Sequence, residues 1–402
     1  MPIRLRTFAL KVHRYLGLTL LGFLLVISLT GFFLTFEREW DAVLNPELYR
    51  VSAPIGELPS PSQLVAQIEA RLPQAQVTHL PLPGNTGRAL VLEVTPRLDP
   101  YTGKPYRLEF DEVFVDPSSG MINGLRQWGE CCSRANLLPM VYKVHNRLLL
   151  PTSTGRQVLA AIALAWLLLS AVGIYLALFA GTRSSSRWGL LFSWRRGLSG
   201  RAQWLQLHRL TGLWAAPLML TMIVTGVAMA LDKELAQPLA AAVVGPAKPT
   251  VWEQRAAMAS EHRKRAVSFD TALEIARGAA QRWPEVGEAV AIEVATDRGL
   301  YRVQFADRSL PGASPIDIYV ESTNGVVVGD TVEAGLTRTM LENRQTLHGG
   351  DLLGLGGRLL VATTGLLLSL MALTGLLMTL RRHFRKSTAV TTRYPGLSES
   401  DR

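Results

Sequence analysis

Five of the seven histidines stand at the edges of long apolar runs. His13 and His208 come just before the first and third runs, His145 and His348 shortly before the second and fourth, and His383 just after the fourth. The first two share a setting. His13-Arg14-Tyr15-Leu16-Gly17-Leu18 reappears as His208-Arg209-Leu210-Thr211-Gly212-Leu213, and Thr30-Gly31 reappears as Thr225-Gly226, both pairs 195 residues apart (208 − 13 and 225 − 30). His145 and His348 form a second, looser match, followed by Gly173 and Gly375 at 28 and 27 residues. Imidazole is the usual neutral axial ligand of heme iron, and a helix bundle can take one from each of two helices. Two repeat-related pairs are therefore expected to hold two hemes, one near each face of a membrane bundle. Which histidines pair is left open, and His383 could replace His13 or His208 in such a pair. No Cys-x-x-Cys-His is present, so the heme expected is b-type. His79 and His262 match nothing and read as surface residues.

These histidines must be positioned by membrane helices. Hydrophobic residues make up 48% of the 402-residue chain and charged residues only 18%, well below the roughly 25% of a soluble domain. Windows 15–36, 158–180, 210–231 and 359–380 carry no charge, and each exceeds the about 20 residues a spanning helix needs. The first is too long for a signal-peptide core and lacks a small-residue cleavage site, so it reads as a retained anchor. Arg4, Arg6, Lys11 and Arg14 precede it; the 181–209 segment carries basic residues and no acid; the tail opens Arg381-Arg382-His383. This bias places all three on the cytoplasmic side. It also accounts for the net charge of +10 without nucleic-acid binding. The expected organisation is a cytoplasmic N-terminus and first span (1–36), an outer segment (37–157), a second span (158–180), a cytoplasmic loop (181–209), a third span (210–231), a second outer segment (232–358), a fourth span (359–380) and a cytoplasmic tail (381–402). Gly17, Gly22, Gly31, Gly212 and Gly226 are expected to let the four spans approach closely.

The outer segments repeat as well. Val113-Phe114-Val115-Asp116-Pro117-Ser118-Ser119-Gly120 parallels Ile318-Tyr319-Val320-Glu321-Ser322-Thr323-Asn324-Gly325, each predicted as strand, glycine turn, strand. Residues 61–72 and 269–283 have helical spacing, and alternating strands follow at 89–94 and 291–294. The fold class is an α-helical membrane protein: a four-helix transmembrane bundle with two outer α+β domains and an internal twofold repeat.

Other residues with chemical potential lie near His145. Cys131 and Cys132 are adjacent, and as the two cysteines of the chain they exclude a disulfide framework. Bonded to each other they form a strained ring of the labile kind, a candidate redox pair whose alternative is a purely structural role. Trp128, Tyr142, Trp40 and Trp252 read either as a substrate surface or as a membrane-interface belt. Glu130, Glu342 and Asp351 are candidates for attracting a cationic chelate. No catalytic triad, P-loop or carboxylate dyad stands out.

Leu10-Lys11-Val12-His13-Arg14-Tyr15-Leu16-Gly17, Thr30-Gly31, Val115-Asp116-Pro117-Ser118-Ser119-Gly120, Lys143-Val144-His145-Asn146-Arg147-Leu148 and His208-Arg209-Leu210-Thr211-Gly212 together resemble the PepSY-associated transmembrane proteins over nearly the whole chain. Within that family the chain resembles inner-membrane reductases of ferric siderophores of the ferrioxamine type. The resemblance implies PepSY-like domains in a bacterial periplasm, b hemes on His13, His208, His145 and His348 with His383 as a substitute, and reduction of periplasmic Fe(III)–siderophore to release Fe(II). Some relatives carry a fused flavin reductase. Here Gly354-Leu355-Gly356-Gly357 enters a membrane helix and is a poor dinucleotide fingerprint. The donor expected is a cytoplasmic flavin or NAD(P)H reductase, or quinol. Two other functions compete: a non-enzymatic peptide-binding or regulatory membrane protein, and a transporter subunit for iron chelates. The first leaves the matched register of His13 and His208 unexplained, and four spans are few for a permeation path unless the chain dimerises.

Overall fold

The computed structural model describes residues 3–52, 58–83, 87–179, 194–256, 266–309, 311–332 and 335–391, with backbone alone at 3, 179 and 381–391. In chain order its helices are α1 (Ile3–Leu34), α2 (Glu37–Leu44), α3 (Pro61–Arg71), α4 (Leu137–Arg147), α5 (Thr152–Phe179), α6 (Gly200–Ala230), α7 (Gln237–Val244), α8 (Val251–Ala256), α9 (Phe269–Ala280), α10 (Gly335–Glu342), α11 (Arg344–Gly349) and α12 (Gly354–Thr391). Its strands are β1 (Ala75–Pro81), β2 (Leu90–Pro96), β3 (Glu112–Val115), β4 (Ile122–Arg126), β5 (Val286–Ala295), β6 (Leu300–Asp307), β7 (Ile316–Glu321) and β8 (Val327–Asp330). The chain divides into a helical unit, Met1–Thr35 with Val144–Leu231 and Leu359–Arg402, and a sheet unit, Phe36–Lys143 with Asp232–Arg358.

In the helical unit α1, α5, α6 and α12 are each long and apolar enough to cross a membrane. They run past the charge-free windows. α5 starts at Thr152, and α6 starts at Gly200, inside the segment expected as a loop. Arg201, Gln203 and Gln206 are good helix formers, so a charge ends the apolar window without ending the helix. His208 therefore sits two turns inside α6. Leu20 and Leu24 of α1, Trp166 and Leu169 of α5, Met219 and Ile223 of α6, and Leu368 of α12 form the core. Small residues bring α1 and α12 together: Ser28 Oγ and Ser369 Oγ are 2.9 Å apart, and a Cβ on Gly365 would lie 2.9 Å from the Ser28 carbonyl. Gly17 and Gly212 pack on Leu169 and Met371, whereas Gly22 faces open space.

The sheet unit corrects the expectation of two separate outer domains. All eight strands form one antiparallel sheet in the order β4-β3-β2-β1-β5-β6-β7-β8. The halves join where β1 pairs β5, with His79 opposite Glu293 and Leu80 opposite Ile292. Each half alone would leave an edge strand with unpaired backbone groups, and pairing the two edges satisfies them. One face is covered by α3 and α9, whose Leu64, Ile68, Phe269 and Ala276 pack on Val77, Leu92, Ile292 and Val303. The two helices cap one another: Ser62 N donates to Asp270 Oδ1, and Asp270 N donates to Ser62 Oγ, both at 3.0 Å. The predicted glycine turns are present, with φ of +66° at Gly120 and +75° at Gly325.

The opposite face carries a charged row in register: Arg126, Glu112, Glu93, His79, Glu293, Arg302 and Tyr319 stand opposite one another across seven strands. At one end Arg126 is buried and binds Asp41 at 2.9 Å, Glu112, and the Ala135 carbonyl at 2.8 Å. It ties α2, β3, β4 and the segment before α4 together. Removing one partner of such a cluster leaves buried charge uncompensated. Arg126→Met is expected to destabilise the sheet unit by about 3–5 kcal/mol, read as a lowered unfolding temperature of the full chain in detergent. An unchanged melt would remove Arg126 from the stability argument.

Candidate functional site

His13 on α1 and His208 on α6 face one another, with ring centres 6.2 Å apart and ring planes at 77°. Each ring is held from a third or fourth helix. His13 Nδ1 lies 3.2 Å from the Leu169 carbonyl of α5. His208 Nδ1 lies 3.0 Å from the Met371 carbonyl of α12 and 3.1 Å from Thr374 Oγ1. A carbonyl only accepts, so each Nδ1 carries the proton and each Nε2 keeps its lone pair for a metal. Holding one ring nitrogen is the usual outer-shell device that orients a metal-binding imidazole.

Glycines make these approaches possible. Gly173 stands four residues after Leu169, and Gly375 four after Met371, so neither accepting carbonyl is shielded by a side chain one turn on. A Cβ on Gly173 would lie 2.8 Å from His13 Cε1, and one on Gly375 would lie 3.6 Å from His208 Cε1. The partners recur at one offset, 371 − 169 = 202 and 375 − 173 = 202. Sequence spacing links Gly173 and Gly375 to His145 and His348; in the fold they serve His13 and His208 instead.

The pair opens into a cavity of about 970 Å³ between all four long helices. Leu24, Trp166, Leu169, Met219 and Leu368 line its apolar end. Arg6, Lys11, Arg14, Arg195, Arg201 and Arg209 line the other. Two imidazoles bound through Nε2 on opposite sides of one metal ion, at about 2.0 Å each, hold their ring centres about 6 Å apart. The spacing of the two rings and the large cavity with an apolar end have room for a flat, metal-bearing group held by the two imidazoles. No cluster of three or more His, Cys, Asp or Glu suited to a bare metal ion occurs among the described residues.

With this geometry in place, the family can be read from the whole chain. The model of the PepSY-associated TM region matches residues 10–382. The chain belongs to the PepSY-associated transmembrane family. Among curated proteins, none matches it significantly.

The remaining histidines of this PepSY-associated protein are placed differently. His145 packs on the Thr30-Gly31 pair of α1, its Nδ1 2.9 Å from Thr30 Oγ1. That hydroxyl donates to the Val26 carbonyl at 2.7 Å, so it accepts from His145 and again leaves Nε2 unprotonated. A Cβ on Gly31 would lie 3.2 Å from His145 Cε1. His348 is half-buried in α11 of the sheet unit, just before Gly350 at φ +86°. The backbone of His383 continues α12, and its side chain lies outside the described residues, as does all of His262. His79 is not a surface residue. It is half-buried in β1 between Glu93 and Glu293, and burial, partly opposed by those carboxylates, holds its pKa below the usual histidine value.

Cys131 and Cys132 are bonded to each other in an exposed loop of the sheet unit. The loop is fixed by Gly129 N donating to Asn136 Oδ1 at 2.8 Å and by Lys143 donating to the Gly129 carbonyl. Trp128 packs edge-on against Tyr142, with ring centres 5.6 Å apart. Trp40 is exposed on α2, and Trp252 is half-buried in α8. It stacks on Tyr319 beneath the guanidinium groups of Arg298 and Arg302, at 4.6 and 4.9 Å from its ring centre. Of the three acids expected to draw a cation, Glu342 is paired with Arg338 at 3.2 Å and Asp351 lies 3.8 Å from Arg358. Glu130 alone of them is well exposed without such a pair among the described contacts.

Proposed function

We propose that this protein is an inner-membrane, heme-b-dependent reductase that delivers electrons across the membrane to a ferric siderophore and frees Fe(II). The observation that carries the proposal is the His13–His208 pair: two imidazoles on different helices, 6.2 Å between ring centres, each held through Nδ1 by a carbonyl of another helix. A bundle that needed interfacial histidines only for headgroup contacts has no use for this inward-facing, tautomer-fixed arrangement.

On this reading the basic segments put both termini in the cytoplasm and the sheet unit in the periplasm. His13 and His208 would hold one heme between α1 and α6. Leu169 and Met371 orient the rings, and Trp166, Leu169, Met219 and Leu368 exclude water from the deep end of the cavity. His145 and His348 are assigned the second heme from their repeat relation, with His383 as a substitute on the cytoplasmic side. When bound, a b heme supplies reversible one-electron chemistry at its iron. The Fe(III) chelate gains one electron, and the resulting Fe(II) is held far more weakly by the siderophore and leaves. The donor is a cytoplasmic flavin or NAD(P)H reductase, or quinol. Cys131–Cys132 is a candidate second redox centre in the same sheet unit.

The test is an absorption spectrum of the detergent-purified protein from heme-replete cells, oxidised and then reduced with dithionite, with heme quantified per chain. About two b hemes per chain are expected, and addition of a ferric siderophore should reoxidise them. A colourless protein would overturn the proposal in favour of a peptide-binding or regulatory role.

A further inference from the structure

Around the Nδ1 atoms of His13 and His208 the repeat is kept by the carbonyl partners and broken by a hydroxyl. The histidines match at 195 residues. Leu169 and Met371, whose carbonyls receive the ring protons, match at 202, as do Gly173 and Gly375. Thr374 lies between Met371 and Gly375, and its counterpart at 374 − 202 = 172 is Val172. One half therefore carries a hydroxyl where the other carries a methyl. The two side chains have nearly the same shape, so helix packing gives no reason for the exchange.

The hydroxyl uses both its bonding capacities. Thr374 is fully buried in α12. Its Oγ1 donates to the Met371 carbonyl at 2.8 Å and lies 3.1 Å from His208 Nδ1. A hydroxyl has one proton, so with that proton on Met371 it accepts from His208. The bond to a carbonyl three residues back is one any helical threonine can make for itself. The bond from His208 comes from another helix, and self-satisfaction does not account for it. The Nδ1 proton of His208 thus lies between two oxygens, at 3.0 and 3.1 Å. That of His13 has the Leu169 carbonyl, at 3.2 Å. The nearby hydroxyl of α5 is turned elsewhere, because Ser170 Oγ donates to Met219 Sδ at 3.7 Å.

Two acceptors draw the ring proton outward and leave more electron density at Nε2. Outer-shell partners of a metal-binding imidazole raise its basicity in this way. A more basic ligand favours the higher oxidation state of a metal held at Nε2. Second-shell hydrogen bonding is one of the levers that set a heme potential.

We propose that Thr374 is a positioning residue that makes His208 the more basic member of the pair and lowers the potential of the heme held there. It acts through the His208 ring. This inference rests on the heme reading above. Val172 leaves His13 the less basic ring, so the pair is unequal although the repeat is otherwise kept around it.

The test is a redox titration of the full-length, heme-loaded protein in detergent. Thr374→Val keeps the shape and removes the acceptor, and it should raise one heme midpoint potential. The expected change is about tenfold in the ratio of ferric to ferrous affinity. That is the low end for an outer-shell partner, because the Met371 carbonyl stays. Tenfold corresponds to about 59 mV for a one-electron couple. The potential of the second heme should not move. Thr374→Ser keeps the hydroxyl and should keep the wild-type potential. Val172→Thr is the converse. Its hydroxyl would stand three residues after Leu169, as that of Thr374 stands after Met371, and it should lower the same potential by a comparable amount. A threonine that served packing alone would alter heme content or melting temperature and leave the potential where it is. An unmoved potential in Thr374→Val, or a Thr374→Ser shift as large as that of valine, overturns the inference. If Thr374→Val holds no heme, Val172→Thr decides, and a potential that fails to fall overturns the inference. A wild type that takes up no heme, or a His208→Ala variant that retains it fully, defeats the heme reading itself. The two failures are therefore separable.

Discussion

His208→Ala should empty the site between α1 and α6 of heme, and ferric-siderophore reduction by the protein in vesicles should fall to background. The loss expected is more than about 100-fold in heme affinity, beyond the 10–100-fold that loss of an outer-shell partner costs. His208 is the better-anchored of the two histidines, with both the Met371 carbonyl and Thr374 Oγ1 within hydrogen-bond distance of its Nδ1. His13 has the Leu169 carbonyl alone, so His13→Ala should give the same loss from a less constrained position. Added imidazole should recover part of the spectrum in His208→Ala, because the alanine leaves a ring-sized space next to an intact His13. His79→Ala is the control. His79 lies in the sheet unit, and its removal should leave heme content untouched. A His208→Ala protein with wild-type heme content would eliminate this pair as the ligand set.

Much of this arrangement is legible in the sequence because membrane helices and repeats leave strong marks. Charge-free windows locate the four spans, and the 195-residue register singles out His13 and His208. Turn glycines are readable too, since Gly120 and Gly325 end short β-rich runs and only positive φ makes sense of them. Three features are not legible, each for a physical reason. The joining of two outer halves into one sheet depends on β1 and β5 exposing matching edges, and a repeat says nothing about edges. The start of α6 at Gly200 is hidden because arginine and glutamine favour helix as well as water. The partners of the histidines are main-chain carbonyls of Leu169 and Met371, which no side-chain pattern can announce. Only the glycines one turn further on betray them, and sequence distance assigns those glycines to the wrong histidines.

Those two glycines separate local geometry from symmetry. By sequence Gly173 and Gly375 are equivalent, and alanine at either should act alike. By geometry they differ. An alanine methyl at 173 would stand 2.8 Å from His13 Cε1 and 3.3 Å from its Nδ1, against ring atoms held by the bundle. His13 would have to swing away and give up its bond to Leu169. At 375 the nearest approach is 3.6 Å to His208 Cε1, an ordinary contact. Gly173→Ala should therefore cost about 10–100-fold in heme affinity and shift the spectrum toward a singly ligated form. Gly375→Ala should cost less than about threefold. Helix weakening cannot explain such a loss, because alanine is favoured over glycine within a helix by about 0.5–1 kcal/mol. Equal losses in the two variants, measured as heme per chain and as the dithionite-reduced spectrum, would show that the glycines serve helix packing rather than the placement of His13.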